Sequence, residues 1–320
     1  MPSRRRLTSI EVCAGAGGQA VGLEMAGFRH LACVEIDRDA CATISLNRPR
    51  WRVDEADLRS WSWDSDDPVD LLAGGVPCPP FSVAGQQLGQ DDERDLFPEM
   101  LRLVDEIRPK AVMIENVKGL LSSRFESYRM QILGELDKLG YRGEWKLLQA
   151  ADFGVPQLRP RSILVALPHD AVPNFTWPLP LPHQVSVGEA LLPLMERSGW
   201  SGAKAWAQKA DGVAPTLVGG SKKHGGPDLG PTRAKEEWMR RFGVDARGLA
   251  DEPPARRHAG PPRLTVEMAA VLQGFPEDWR LSGRKTSAYR QVGNAFPPPV
   301  AAAVGRQVAK AIRTTDSRSS

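Results

Sequence analysis

Leu7-Thr8-Ser9-Ile10-Glu11-Val12-Cys13-Ala14-Gly15-Ala16-Gly17-Gly18 runs from a short, apolar-alternating strand over residues 7–12 into a glycine-rich turn. A helical pattern through Val21, Leu23, Met25 and Ala26 follows. Strand, glycine turn and helix form the front of a nucleotide-binding βαβ unit, in which backbone free of side chains approaches a cofactor closely. Alone, the turn fits a nicotinamide dinucleotide equally well, or only tight packing. A second strand over 31–36 ends in Glu35-Ile36-Asp37, and an acid about 20 residues beyond the glycines is placed for the ribose hydroxyls of an adenosine cofactor. After a helix from 38 to about 46, Asp57 follows the next extended piece. It reads either as an acceptor for an adenine amino group or as a cap beside Asp54 and Glu55.

Further along, an apolar strand over 69–73 enters Gly74-Gly75-Val76-Pro77-Cys78-Pro79-Pro80-Phe81-Ser82. The prolines deny this backbone any helix or central strand, so Cys78 is presented on a stiff loop, as a nucleophile or as a small loop hydrophobe. Residues 83–97 are rich in Gly, Gln, Asp and Arg without apolar periodicity and read as a long functional loop. A helix with Leu101 and residues 104–107 on one face precedes a buried-looking strand over 111–114, which delivers Glu115-Asn116-Val117 at its carboxyl end. In parallel order, that end is also the end of the Pro77-Cys78 strand, where a desolvated carboxyl group can act as an acid. A helix over 124–139, with Phe125, Tyr128, Ile132, Leu136 and Leu139 at helical spacing, reads as core. Next, Gln157, Arg159 and Arg161 alternate along an extended piece before a strand over 162–167, and Arg161 either meets a bound nucleotide or pairs with an acid such as Glu115.

Five prolines between 168 and 182 give linker composition. Up to about 262 periodicity is poor, with isolated Trp200, Trp206 and Trp238 and a basic loop, Ser221-Lys222-Lys223-His224-Gly225-Gly226. Order returns where Thr265 caps a helix carrying Met268, Val271 and Leu272. Gln291-Val292-Gly293-Asn294 then leads through Pro297-Pro298-Pro299 into a helix with Val300, Val304, Val308 and Ile312 four apart.

A chain of 320 residues suffices for one large or two moderate domains. No apolar run approaches the roughly 18 residues of a membrane span. Arg4-Arg5-Arg6 is followed too quickly by Glu11 for a signal-peptide core. Cys13, Cys33, Cys41 and Cys78 form no Cys-x-x-Cys pair and no zinc spacing, so no metal is expected and a reducing cytoplasm is. The net charge of +3 is concentrated in residues 178–262, which hold 12 Lys+Arg against 9 Asp+Glu. A phosphate-contacting surface would show this pattern, and so would an ordinary solvated face.

In this order, over about residues 7–167 and 263–312, the motifs resemble those of the cytosine-5 DNA methyltransferase family. The resemblance implies an α/β, Rossmann-like S-adenosylmethionine-dependent fold with a mostly parallel sheet and a smaller target-recognition domain. It divides the chain into a catalytic and cofactor-binding domain (1–170), a target-recognition domain (171–262) and a C-terminal segment returning to the catalytic domain (263–320). S-adenosylmethionine would be held by Cys13, Ala14, Gly15, Gly17 and Gly18, by Glu35, Ile36 and Asp57, and by Asn294. Cys13 stands where the family places a Phe against the cofactor. Cys78 would be the nucleophile on a loop shaped by Pro77, Glu115 the acid, Arg161 the anchor for the extruded cytosine, Arg159 or Arg161 the cation favouring the thiolate, and Asn116 a residue ordering the loop. Double-stranded DNA would meet Ser82, Gln86, Gln87 and Arg94 on the long loop, and Thr216, Leu217, Lys222 and Lys223 in the recognition segment. The implied setting is cytoplasmic and nucleoid-associated, with a cognate restriction endonuclease as a functional counterpart rather than a stable contact. Three alternatives stay open on the sequence: an RNA cytosine-5 methyltransferase, a nicotinamide-dependent oxidoreductase, and a binding module without catalysis.

Overall fold

A computed structural model of the chain describes residues 5–77, 95–219 and 227–319. Among them, β1 (Thr8–Val12), β2 (Arg29–Glu35), β3 (Val53–Glu55), β4 (Leu71–Gly74), β5 (Ala111–Val117), β6 (Tyr141–Gln149) and β7 (Pro160–Pro168) form one sheet in the order β3-β2-β1-β4-β5-β7-β6. The first five run parallel, β7 is antiparallel to β5, and β6 closes the far edge antiparallel to β7. Strand order reverses between β1 and β4, and in open α/β sheets ligands collect outside the carboxyl ends of strands at such a point. β1 is buried along its whole length, as a central parallel strand covered on both faces must be.

Both faces are covered by helices. On one side α1 (Gly18–Met25) lies against α10 (Pro298–Ser319), and Leu23, Phe28, Val300, Val304, Val308 and Ile312 pack on Leu71 and Met113. Only glycine permits this approach: a Cβ at Gly22 would lie 2.4 Å from the Pro298 carbonyl oxygen and one at Gly18 2.4 Å from that of Phe296. On the other side α3 (Phe97–Ile107) and α4 (Glu126–Lys138) cover Ile10, Val12, Leu72, Val112 and Ile114. The helix α2 (Arg38–Asn47) is capped by the Asp37 carboxylate, which accepts from the amides of Asp39 and Ala40.

The structure corrects several expectations. The buried face of α3 consists of Phe97, Met100, Leu103 and Val104, whereas Asp105 and Glu106 are exposed, because the helix starts at Phe97 and its turn places 104 and 106 on opposite sides. Of the five residues expected to be core near α4, Ile132 and Leu136 are buried, and Phe125 belongs to a preceding 3-10 turn. Met25 is exposed at the end of α1. β6 was not expected at all. The region after the linker is helical: α5 (Val187–Glu196), α6 (Ala203–Lys209) and α7 (Thr232–Phe242) share one apolar cluster with α8 (Val266–Leu272) and α9 (Lys285–Asn294). Trp206 and Trp238 are buried in that cluster and Trp200 packs against it. No helix among the described residues is long and apolar enough to cross a membrane.

His30 on β2 gives the fold a pH dependence. Its Nε2 donates to the Ala20 carbonyl at 2.8 Å and its Nδ1 accepts from the Ser9 hydroxyl at 3.0 Å, the pattern of a neutral ring. Burial holds its pKa down, from 6.5 to about 4. The unfolded chain therefore binds a proton at a higher pH than the native state does. The stability linked to His30 is complete above pH 6.5 and is lost as pH falls toward 4. Urea unfolding at several pH values should show a loss of about 3 kcal/mol from this group, and a His30→Gln variant should show a correspondingly flatter profile.

Candidate active site

A cavity of about 760 Å³ opens at the carboxyl ends of β1 to β5. Its β2–β3 end is lined by Glu35, Ile36, Asp37, Asp57, Leu58 and Arg59. Three backbone amides fix the Glu35 carboxylate: Gly15 donates to Oε2 at 2.7 Å, and Ile36 and Asp37 donate to Oε1 at 2.9 and 2.8 Å. The acid is thus aimed across the glycine turn. Ile36 is 65% exposed, an apolar surface without a cover at the cavity wall. Asp57 accepts from the backbone and guanidinium of Arg59, which hold its carboxyl below the usual range.

The turn itself follows from local geometry. Gly15 and Gly17 have φ of 54° and 81°, where a side chain is strained, and Cys13 takes φ 51° although it has one. Burial, then Glu35 and Glu11, push the Cys13 thiol up, so it is a neutral wall of the cavity. Asn294, at the end of α9, completes the lining on that side. An apolar platform, a fixed carboxylate and a side-chain-free turn fit the adenosine half of S-adenosylmethionine. Among the lining residues that escaped notice in the sequence are Glu11 and Gln19. A carboxylate inside a strand that must be buried on both faces was the available signal for the first.

At the β4–β5 end lie Gly75, Pro77 and Glu115. A side chain starting at Gly75 would begin 3.2 Å from Glu115 Oε2, so the segment leading from β4 to Pro77 starts close beside the acid. Glu115 is 9% exposed and forms an ion pair with Arg161, Oε1 to Nε, at 2.7 Å. Burial raises its pKa despite the opposing charges of Arg161 and Arg159. Asn116 Nδ2 donates to the Val76 carbonyl at 2.9 Å, which ties β5 to the backbone just before Pro77. The Leu96 amide donates to the Pro77 carbonyl at 3.2 Å. Cys78, Ser82, Gln86, Gln87, Arg94, Lys222 and Lys223 lie outside the described residues.

Arg159 and Arg161 take different surroundings. Arg159 is 1% exposed, and its guanidinium donates to the carbonyls of Leu217, Gly293 and Ala295 at 2.7, 2.6 and 3.0 Å. Those bonds brace three chain segments. Gln157 works alongside, accepting from the Leu217 amide at 2.8 Å and donating to the Leu272 carbonyl at 3.1 Å. Thr216 is half-buried and donates to the Leu158 carbonyl. Leu217 is fully buried in the cluster shared with α8 and α9, so its side chain is core and not a DNA-facing group as expected. Gly293 and Gly219 interlock: a Cβ on Gly293 would meet the Gly219 nitrogen at 2.2 Å.

A profile of the C-5 cytosine-specific DNA methylase family matches residues 7–310. The chain belongs to this family. It is 53% identical over 312 residues to the Type II methyltransferase M.NgoMIV of Neisseria gonorrhoeae, covering 96% of this chain and 99% of that protein. With the Type II methyltransferase M.NaeI of Lentzea aerocolonigenes it shares 54% over 312 residues, covering 96% and 75%. The S. pombe Dnmt2 methyltransferase has the same fold at 17% identity, with a TM-score of 0.63 over 97% of this chain and 99% of that one. The Entamoeba histolytica methyltransferase EhMeth likewise has a TM-score of 0.66 at 16% identity, over 97% and 99%. This C-5 cytosine methylase transfers a methyl group from S-adenosylmethionine to carbon 5 of cytosine in DNA. The oxidoreductase and RNA-directed alternatives are not favoured by these relationships.

Proposed function

We propose that Cys78 and Glu115 carry out this reaction on a cytosine swung out of a specific duplex sequence. One observation carries the assignment: the Glu115 carboxyl lies beside Gly75, three residues before Cys78, at the sheet end where the cavity opens. Carbon 5 of cytosine is a weak nucleophile and must be made enamine-like. The Cys78 thiolate adds to C6 while Glu115 gives its proton to N3 and so absorbs the developing charge. S-adenosylmethionine, when bound, supplies a methyl group activated by attachment to a sulfonium. After C5 has accepted the methyl, the C5 proton leaves to solvent, Cys78 is expelled from C6, and Glu115 recovers the N3 proton. Extruding the base from the stack costs a few kcal/mol.

Arg161 holds Glu115 in position and reaches the cytosine O2, Pro77 stiffens the nucleophile loop, and Asn116 orders it through Val76. Arg159 acts at this site through its charge and its bracing bonds. Glu35 takes the ribose hydroxyls, Asp57 the adenine amino group and Ile36 the ring face. The turn residues Cys13, Ala14, Gly15, Gly17 and Gly18 approach the cofactor by backbone, and Asn294 touches it from α9. Residues 171–262 read the duplex, with Thr216, Lys222 and Lys223 among their contacts. Ser82, Gln86, Gln87 and Arg94 follow the DNA backbone near the extruded base. The division at 170 and 262, the nucleoid setting and a cognate restriction endonuclease belong to the same reading. Type II naming of the two relatives supports the last of these.

The test uses the whole chain, S-adenosylmethionine and a duplex library, followed by nucleoside mass spectrometry and sequence-resolved methylation mapping. 5-Methyl-2′-deoxycytidine at one short recognition sequence is expected. Methyl groups on an exocyclic nitrogen, or transfer to RNA alone, would overturn the proposal.

A further inference from the structure

The far edge of the sheet is a long strand with one side open. β6 comes last in the strand order and pairs with β7 over all nine of its residues. Among the described residues, no backbone hydrogen bond joins 142–148 to any other segment. Such an edge offers a row of amides and carbonyls to another strand, and proteins commonly blunt it with charge. β6 has three exposed charged residues, Arg142, Glu144 and Lys146. Uncovered apolar side chains accompany them: Leu147 on the strand is 42% exposed and Met130 on α4 is 62% exposed.

The order of the charges says which strand fits. Two copies of β6 can pair antiparallel about a two-fold axis, each residue then facing one on the other copy, and a slip in register changes every partner. Centred on Glu144, the pairing opposes Glu144 to itself and Arg142 to Lys146. Centred on Lys146, it opposes that lysine to itself. Centred on Gly143, it engages only 141–145 and leaves Lys146 outside. Centred on Trp145, it uses all nine residues and sets Glu144 of each copy against Lys146 of the other. The face toward α4 agrees with that register. There Trp145 meets Trp145, and Leu147 comes over Gly143, where a Cβ would lie 2.8 Å from the Leu133 side chain. Leu133 fills the space that a side chain at 143 would take, and it stands one turn of α4 from the exposed Met130. The uncovered Leu147 finds apolar cover there.

We propose that the protein associates with a second copy of itself through β6, antiparallel and centred on Trp145, with Glu144 of each copy opposite Lys146 of the other. Seven strands from each copy then form one sheet. β6 runs parallel to β5, so its carboxyl end lies at the end where the cavity opens. Reversal of the partner strand turns the second cavity to the opposite end of the shared sheet. Each copy therefore methylates its own duplex, and association leaves the rate per site unchanged.

Sedimentation equilibrium of the whole chain from about 1 to about 200 µM tests it, since a sheet-edge interface is at the small end of those that hold two proteins together. Wild type should rise toward twice its monomer mass. Glu144→Lys and Lys146→Glu each set like charges opposite one another twice and should weaken association about tenfold or more. An equimolar mixture of these two variants should recover it to within about threefold, because each Lys of one then faces a Glu of the other. Both variants alter exposed side chains and should melt like wild type and methylate DNA within about twofold of it. Leu147→Arg leaves both charges in place, reads the same register independently and should weaken association to a similar extent. A wild type that stays monomeric throughout, a Glu144→Lys, Lys146→Glu or Leu147→Arg variant that associates as strongly as wild type, or a mixture that associates no better than its components overturns the proposal.

Discussion

A Cys78→Ala enzyme is expected to retain less than about a thousandth of wild-type methyl transfer while still binding duplex DNA. Without sulfur at position 78 no adduct forms at C6, and C5 keeps its low nucleophilicity. Neither Glu115 nor the cofactor can replace that electron push. DNA affinity comes mainly from phosphate contacts, which the substitution does not touch. Filter binding of radiolabelled methyl groups and gel-shift titration on the same duplex read the two quantities separately. Turnover near the wild-type level in this variant would remove the covalent step from the mechanism.

The second large effect belongs to Glu115. Glu115→Gln should lower the rate by about 10²- to 10⁴-fold, the range for loss of a positioned general acid, with little change in S-adenosylhomocysteine affinity. The amide can still donate a hydrogen bond to N3 but cannot pass a proton to it. Wild-type activity should also fall as pH rises through the elevated pKa of Glu115, because the acid works only while protonated. At the low-pH side the rate should fall as the Cys78 thiolate is protonated. The Gln variant should lose the high-pH limb and keep the low-pH one. If both limbs persist in Glu115→Gln, the proton donor is another group. Arg161 is a less direct lever, since it acts through its 2.7 Å ion pair with the acid.

The βαβ front of the fold was legible because its signals agree at every level: an alternating strand, a glycine turn that takes positive φ at Gly15 and Gly17, and a largely buried helical continuation. The parallel placement of Pro77 beside Glu115 was legible too, since two apolar strands with short flanks leave few arrangements. β6 was not, because Tyr141–Gln149 pairs on one side with β7 and carries Arg, Glu and Lys among its apolar residues, so that its pattern matches neither a buried strand nor a helix. The region 187–242 looked irregular for a similar reason: α5 contains Pro193, α6 is only seven residues long, and α7 buries just Trp238 and Phe242. At the site, Glu35, Ile36, Asp57 and Asn294 were found by spacing and resemblance, and the structure lines the cavity with all four. Gln19 was passed over, and Leu217 was misread as a DNA contact. A polar residue at a helix start and an apolar one in a loop give no hint in sequence that the first is buried without partners and the second sealed in a core.

The interlocked pair Gly219 and Gly293 sets a rule for anyone who wants to swap DNA specificity between relatives. Foreign cassettes spliced in downstream of the linker will seat only if they bring a residue without a side chain to the position of Gly219, because the backbone there touches the helix that ends in Asn294. Splice points chosen inside 214–219 would cut the strap that Arg159 and Gln157 hold. Chimeras joined outside that strap should stay folded and methylating, and those joined within it should be recovered as insoluble protein.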